Sequence, residues 1–173
     1  ISKLAPVAFD PQAESPTWDK FLNRIFGGNA ELIRYVRRAA GYAMTGVIRE
    51  HVLHLLHGTG ANGKSTFLNT VQGLLGDYAK SAAPGLLTRK YGETHPTEIA
   101  DLRGARFVAS IEVEEGKRLA EVLAKQLTGG DVLKARRMRE DFWQFQPTFK
   151  LFLAANHRPE IRGTDHAIWR RIR

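Results

Sequence analysis

Gly58, Gly63, Lys64 and Ser65 stand at the spacing G-x-x-x-x-G-K-[ST]. That spacing suits one task, the holding of a polyphosphate. Glycines let backbone N–H groups close around phosphate oxygens because no Cβ intervenes. Lys64 is placed to reach the β- and γ-phosphates of ATP, and the Ser65 hydroxyl to ligate Mg²⁺. Thr59, Gly60, Ala61, Asn62 and Thr66 complete the same loop. Such a loop works with an acid at the end of a neighbouring strand, which holds Mg²⁺ and polarises the attacking water. Glu112 follows directly on the apolar run Phe107–Ile111 and is the candidate. Glu114 points to the same side if the strand continues. Asn156 closes the apolar run Leu151–Ala155 and is the candidate for orienting water near the γ-phosphate, although Asn-His-Arg-Pro is also turn chemistry.

These residues need elements to carry them. Val52–Leu56 reads as the strand before the loop. Phe67, Leu68, Val71, Leu74 and Leu75 keep helical spacing after it, and Gly76 is a helix stop. Upstream, Pro16 opens a helix with Trp18, Phe21, Leu22, Ile25 and Phe26 on one face, stopped by Gly27-Gly28-Asn29. A second helix runs from about Ala30 to near Gly41. Asp77–Thr97 reads mostly as loop. Ile99–Leu102 reads as a short helix, Phe107–Ile111 and Phe149–Ala155 as buried strands, and Leu119–Leu127 as a helix. Val132–Phe145 holds two alternating runs around Arg137-Met138-Arg139-Glu140-Asp141, the pattern of a β-hairpin with a basic tip. Thr164–Ile172 reads as a helix. Alternating strands and helices predict an α/β layered fold. Residues 1–50 form a small helical region, and residues 51–173 the phosphate-loop core.

Composition narrows the class. The 173 residues hold no cysteine, which excludes disulfides and thiolate metal sites. No apolar run approaches a membrane span. The net charge is +8, and residues 131–173 carry ten Lys/Arg against five Asp/Glu. That balance points to a polyanionic partner, or to a solvated basic face. His51, His54 and His57 recur every third residue, so a strand would not present them on one face. No metal site is expected there, and ordinary satisfied histidines are the reading. Phe142, Trp143 and Phe145 read as core aromatics, with base stacking as the alternative. The chain opens on Ile1 and closes on Ile172-Arg173 inside an unfinished element, which reads as a piece of a longer protein.

Five segments in order carry a family resemblance. They are Gly58–Thr66, Glu112-Val113-Glu114-Glu115-Gly116, Lys125-Gln126-Leu127-Thr128-Gly129-Gly130-Asp131, Leu153–Pro159, and Asp165-His166-Ala167-Ile168-Trp169-Arg170-Arg171-Ile172. Together they resemble the superfamily 3 helicases, in particular the phage and plasmid primase-helicase branch that includes the poxvirus-type enzymes. The resemblance implies a P-loop NTPase with an AAA+-like three-layer core and a mainly parallel sheet. A small helical domain precedes that core, which carries a β-hairpin insertion. It implies a hexameric ring that hydrolyses ATP with Mg²⁺ to move single-stranded DNA, sometimes with a linked primase domain, in the cytoplasm of a bacterial or phage-infected cell. Glu112 then takes the acidic role, Asn156 senses the γ-phosphate, and either Arg170 or Arg171 is the arginine finger that enters a neighbour's site. Arg137 and Arg139 at the hairpin tip would track DNA phosphates. Lys134 and Arg136 would join them, or face the protein or the nucleotide. Two other classes fit the phosphate loop: a kinase of a small phosphate acceptor, and a non-enzymatic nucleotide-dependent DNA-binding assembly domain. The kinase does not explain the Leu-Thr-Gly-Gly-Asp run or the position of Asn156, and the assembly domain would need neither Glu112 nor an arginine finger.

Overall fold

Helices begin where the sequence supplies their caps. Pro16 takes the first turn of α1 (Pro16–Ile25), where its missing N–H costs nothing. The Asn29 side chain accepts from Leu32 N–H at 3.0 Å and starts α2 (Ala30–Met44). The computed structural model describes residues 2–89, 96–112 and 115–173. After α2 come β1 (Leu53–His57), α3 (Lys64–Leu75), β2 (Ala79–Ser81), α4 (Pro96–Ala100) and β3 (Phe107–Glu112). α5 (Glu121–Gly129), β4 (Leu133–Ala135), β5 (Trp143–Phe145), β6 (Lys150–Ala155) and α6 (His166–Trp169) complete the order. None of these helices is long and apolar enough to cross a membrane.

Four strands form one sheet in the order β1-β6-β3-β2, and all three pairings are parallel. A parallel strand buried on both faces has to be apolar on both faces, and β6 is buried along its whole length. Its Leu151 and Leu153 join Leu53, Val108, Leu123, Leu127 and Ile168 on one side. Its Phe152 and Ala154 join Phe67, Leu68, Val71 and Phe107 on the other. Leu22 of α1 and Ile33, Val36, Ala39, Ala40 and Ala43 of α2 belong to this second core. Trp18 stacks on Phe67 at 5.7 Å between ring centroids. The N-terminal helices therefore share a core with the sheet and α3. A separate antiparallel pair, β4 with β5, forms the hairpin expected over Val132–Phe145.

Three elements depart from their sequence patterns, each for a tertiary reason. α2 runs past Gly41 to Met44, because Ala43 is fully buried and cations meet the helix end. Arg106 Nη1 donates to the Met44 carbonyl at 3.0 Å, and Lys150 Nζ donates to the Thr45 carbonyl. Positive charge is favoured there by the helix dipole. Lys150 also lies over the Tyr42 ring at 4.4 Å, and burial, with Arg106 beside it, lowers its pKa to about 8. β2 arises inside the stretch read as loop. Three residues are too few to show a pattern, and pairing with β3 makes the strand. The helix expected over Thr164–Ile172 stops after one turn. The chain then pairs with the open edge of β1, Leu53 N–H donating to the Arg171 carbonyl and Leu55 N–H to that of Arg173, both at 2.8 Å.

His54 sits inside the second core, 6% exposed and stacked on Phe152 at 4.4 Å. Nδ1 faces the Tyr35 hydroxyl at 3.3 Å, while Nε2 has no partner, so only one nitrogen is satisfied. Burial, reinforced by the Arg173 charge, lowers the His54 pKa to about 4. The unfolded imidazole titrates near 6.5. Between these values the unfolded chain binds the extra proton, so this contribution is complete above about pH 6.5 and is lost as pH falls toward 4. Across that window the loss is on the order of 3 kcal/mol. Urea unfolding at pH 7.5, 5.5 and 4.5 should show it, and His54→Leu should flatten the dependence.

Candidate phosphate site

The site follows from strand register. β1 pairs with β6 so that His57 faces Ala155, and β3 pairs with β6 so that Glu112 faces the same Ala155. Adjacent strands lie about 4.8 Å apart, so His57, Ala155 and Glu112 make a level row about 10 Å wide. Open parallel sheets bind ligands at this carboxyl end. Gly58 leaves one end of the row as the first residue of the loop, and Asn156 leaves the middle. Gly58 N–H donates to the Ala155 carbonyl at 3.3 Å, which ties the loop to the residue before Asn156. Asn156 is exposed at this rim. Glu112 holds the far end by its backbone pairing. Glu114 falls outside the described residues.

The loop delivers donors to the rim. α3 starts at Lys64 with Gly63 as its N-cap, and no side chain caps it. The first amides of this twelve-residue helix are thus left for an anion, which the helix dipole also favours. Lys64 Nζ bonds to the Gly58 carbonyl, to the Thr59 carbonyl at 3.3 Å and to Asn62 Oδ1 at 2.9 Å. Its charge is held over the loop by acceptors that phosphate oxygens could replace. Thr59, Gly60, Ala61, Ser65 and Thr66 are exposed around it. Gly63 is required twice over. Its φ is +86°, and a Cβ there would lie 2.7 Å from Ile25 Cγ2 and 3.1 Å from Phe21 Cε2. α1 therefore buttresses the loop directly, a contact with no local sequence signal. Beside the loop, a cavity of about 360 Å³ opens between α2 and β1, lined by Phe26, Leu32, Tyr35, His54, Asn62 and Lys64. Among the described residues no cluster of three His, Asp or Glu side chains forms a metal site.

The arginine pair is split. Arg171 is 8% exposed, its Nε donating to Thr128 Oγ1 at 3.2 Å and its Nη1 to the Ala167 carbonyl at 2.6 Å. The Leu-Thr-Gly-Gly-Asp run makes the bed for this guanidinium. A Cβ on Gly129 would sit 3.0 Å from Asp131 Oδ2 and 3.7 Å from Arg171 Nη2. Lys125 ties the same helices from outside, bonding Asp165 Oδ2 at 2.8 Å. That bond, together with the Ile168 amide, holds the Asp165 carboxyl below the usual range. Arg170, one residue along, is exposed.

The hairpin sorts its side chains by the period of two. Leu133 and Ala135 are buried, and Trp143 and Phe145 are half-buried opposite them. Lys134, Arg136, Phe142 and Gln144 are exposed. Arg137 and Arg139 occupy the turn, where Glu140 N–H donates to the Arg137 carbonyl at 3.2 Å and Arg139 adopts φ +63°. All four predicted basic residues thus project from one ribbon. The core reading of the aromatics holds for Phe145, which packs against the first core; Trp143 is half-buried between Phe145 and Arg103, and the register turns Phe142 outward.

The chain is similar to several known proteins. Residues 56–171 match the model of a family described as "Family of unknown function (DUF5906)". The chain is 32% identical over 141 residues to an Acanthamoeba polyphaga mimivirus protein named "Putative helicase", covering 80% of this chain and 15% of that protein. It is 31% identical over 170 residues to an Invertebrate iridescent virus 6 protein of the same description, covering 92% of this chain and 17% of that one. The chain therefore spans less than a fifth of the length of these relatives. The apo structure of the NrS-1 C-terminal region shares its fold, with a TM-score of 0.66 at 15% identity over 94% of this chain and 38% of that one.

The split of the arginines has a direct thermodynamic consequence. Arg171→Ala removes a buried, hydrogen-bonded guanidinium and should lower unfolding free energy by about 2–3 kcal/mol. Arg170→Ala should change it by less than about 0.5 kcal/mol. Urea denaturation of the two variants measures both.

Proposed function

The chain belongs to the family of unknown function DUF5906, and we propose that it is the ATP-dependent motor module of a DNA helicase or translocase. The observation that carries this reading is the row at the carboxyl end of the sheet. A phosphate-binding loop, Asn156 and Glu112 leave three adjacent parallel strands at one level, with Gly58 bonded to Ala155. Such a row suits a site that breaks a phosphoanhydride, in which loop, polar residue and acid must converge on one γ-phosphate. The names of the two viral relatives give the same direction.

In this reading the core is a P-loop NTPase of the AAA+ type. Residues 1–50 are its helical preface and residues 51–173 its ATPase body. Lys64 and the first amides of α3 bind the polyphosphate, and the cavity beside the loop takes the base. Ser65 and Glu112 hold Mg²⁺, which neutralises charge on the phosphate oxygens, with Glu114 in support. Asn156 orients the attacking water. Arg170 is the finger. It is exposed and free to enter a neighbouring copy, whereas Arg171 is engaged inside its own chain. The site is then completed by a second subunit, and the working assembly is a ring, six-membered in the superfamily 3 pattern. Lys134, Arg136, Arg137 and Arg139 engage single-stranded DNA, and movement of their hairpin with nucleotide state does the work.

Titration calorimetry with ATP and Mg²⁺ tests the site, and Lys64→Ala should weaken binding at least tenfold, about 1.4 kcal/mol. ATP turnover stimulated by single-stranded DNA tests the coupling. Arg170→Ala should slow turnover by roughly 10³-fold. Mixing Arg170→Ala with Lys64→Ala subunits should restore part of it, since each supplies what the other lacks. Nucleotide binding indifferent to Lys64→Ala would overturn the proposal.

A further inference from the structure

Phe142 is a large apolar side chain that the hairpin holds outside the core. In the register of β4 and β5, Leu133 faces Phe145, Lys134 faces Gln144 and Ala135 faces Trp143. Extended by one pair, that register sets Arg136 opposite Phe142. Lys134, Arg136, Phe142 and Gln144 therefore share the outward face of the ribbon, and all four are exposed. Phe142 is 47% exposed. Lys134 Nζ lies 4.7 Å and Arg136 Cζ 4.6 Å from its centroid. Trp143 faces the other way and carries Arg103 at 4.9 Å, beside Phe145 at 5.5 Å.

This face pairs an aromatic surface with two fixed cations. An aromatic packed for stability alone would turn inward, as Trp143 and Phe145 do. A face built only to attract phosphate needs no aromatic ring. Together the two match a nucleotide unit, a flat base next to a phosphate. In the free chain cation–π attraction gathers Lys134 and Arg136 at the ring, so a stacking base displaces a cation from its face and leaves that cation beside the ring, within reach of the flanking phosphate. Bases are free to stack on the ring only when unpaired, so a single strand fits where a duplex offers phosphates alone.

We propose that Phe142 is a base-stacking platform for single-stranded DNA, with Lys134 and Arg136 holding the phosphates on either side of the stacked base. The proposal rests on the DNA-binding reading of the hairpin and adds a contact that is not electrostatic. That difference makes it measurable. Charge contacts set the salt dependence of affinity, at about 0.7 per neutralised phosphate for single strands. Stacking changes affinity without changing that slope.

The experiment compares Phe142→Leu, Phe142→Trp and Arg136→Ala in the full chain, using fluorescence anisotropy with a labelled dT oligonucleotide and an abasic one of equal length. Circular dichroism confirms that each variant is folded. Phe142→Leu should weaken dT binding roughly tenfold, leave the abasic affinity and the salt slope unchanged, and be rescued by Phe142→Trp. Arg136→Ala should weaken both oligonucleotides and reduce the slope. Equal weakening of both oligonucleotides by Phe142→Leu, or a fall in the slope, would show that the ring only props the cations and would overturn the proposal. So would dT affinity unaffected by Phe142→Leu. If wild-type chain binds neither oligonucleotide, the DNA reading of the hairpin fails along with it.

Discussion

The hydrogen bond from Gly58 N–H to the Ala155 carbonyl joins the first residue of the candidate phosphate loop to the last residue of the central strand. It is one bond of a parallel ladder, and the ladder is the constraint on which the site depends. Parallel pairing on both sides of β6 leaves no freedom in where β1 and β3 end relative to it. A slip of one residue would send every β6 side chain to the opposite core. Phe152 would leave the stack it makes with His54 and Phe107, and Leu153 would leave the cluster around α5 and Ile168. Packing on both faces thus fixes the register, and the register sets loop, Asn156 and Glu112 at one level.

The loop is braced from the side as well as from the sheet. Phe21 and Ile25 of α1 press on Gly63, and α1 is held by the same core that receives α2 and α3. At the opposite end of the sheet, Arg106 and Lys150 close on the last carbonyls of α2. Burying the Lys150 cation beside the half-buried Arg106 is costly unless their donors are satisfied. Here the helix carbonyls and two aromatic rings, Tyr42 and Tyr78, satisfy them. The N-terminal helices are therefore part of what gives the Gly58–Thr66 loop its shape.

On the other face α5 and α6 are joined by Arg171 with Thr128 inside and Lys125 with Asp165 outside. α6 carries Arg170, and the chain after α5 runs directly into the hairpin. One packed pair of helices thus supports both the exposed arginine and the basic ribbon. In the proposed motor, those are the parts facing a neighbouring subunit and the DNA. Within the Thr-Gly-Gly-Asp run, Thr128 accepts from the Arg171 guanidinium, and a Cβ at Gly129 would press on the Asp131 carboxylate at 3.0 Å.

Much of this was legible in the chain itself. The phosphate loop, its strand and its helix depend on local chemistry: glycines, an apolar run of strand length, a helical stripe. The buried strands β3 and β6 were visible as continuous apolar runs and the hairpin as two alternating ones, and so were Glu112 and Asn156 as residues that end apolar runs. Sequence alone could not choose between Arg170 and Arg171, since adjacent helix residues differ only in direction and direction is meaningless without a neighbour. It could not separate Phe142 from Trp143 and Phe145, because alternation names two faces without saying which is inside. It missed β2, the end of α2 and the edge pairing after α6, all of which exist through partners distant in the chain. Sequence by itself determined which groups are present and which local elements carry them. Tertiary structure decided which of those groups meet, because register, burial and the reach of a cation are properties of pairs of segments that no single segment contains.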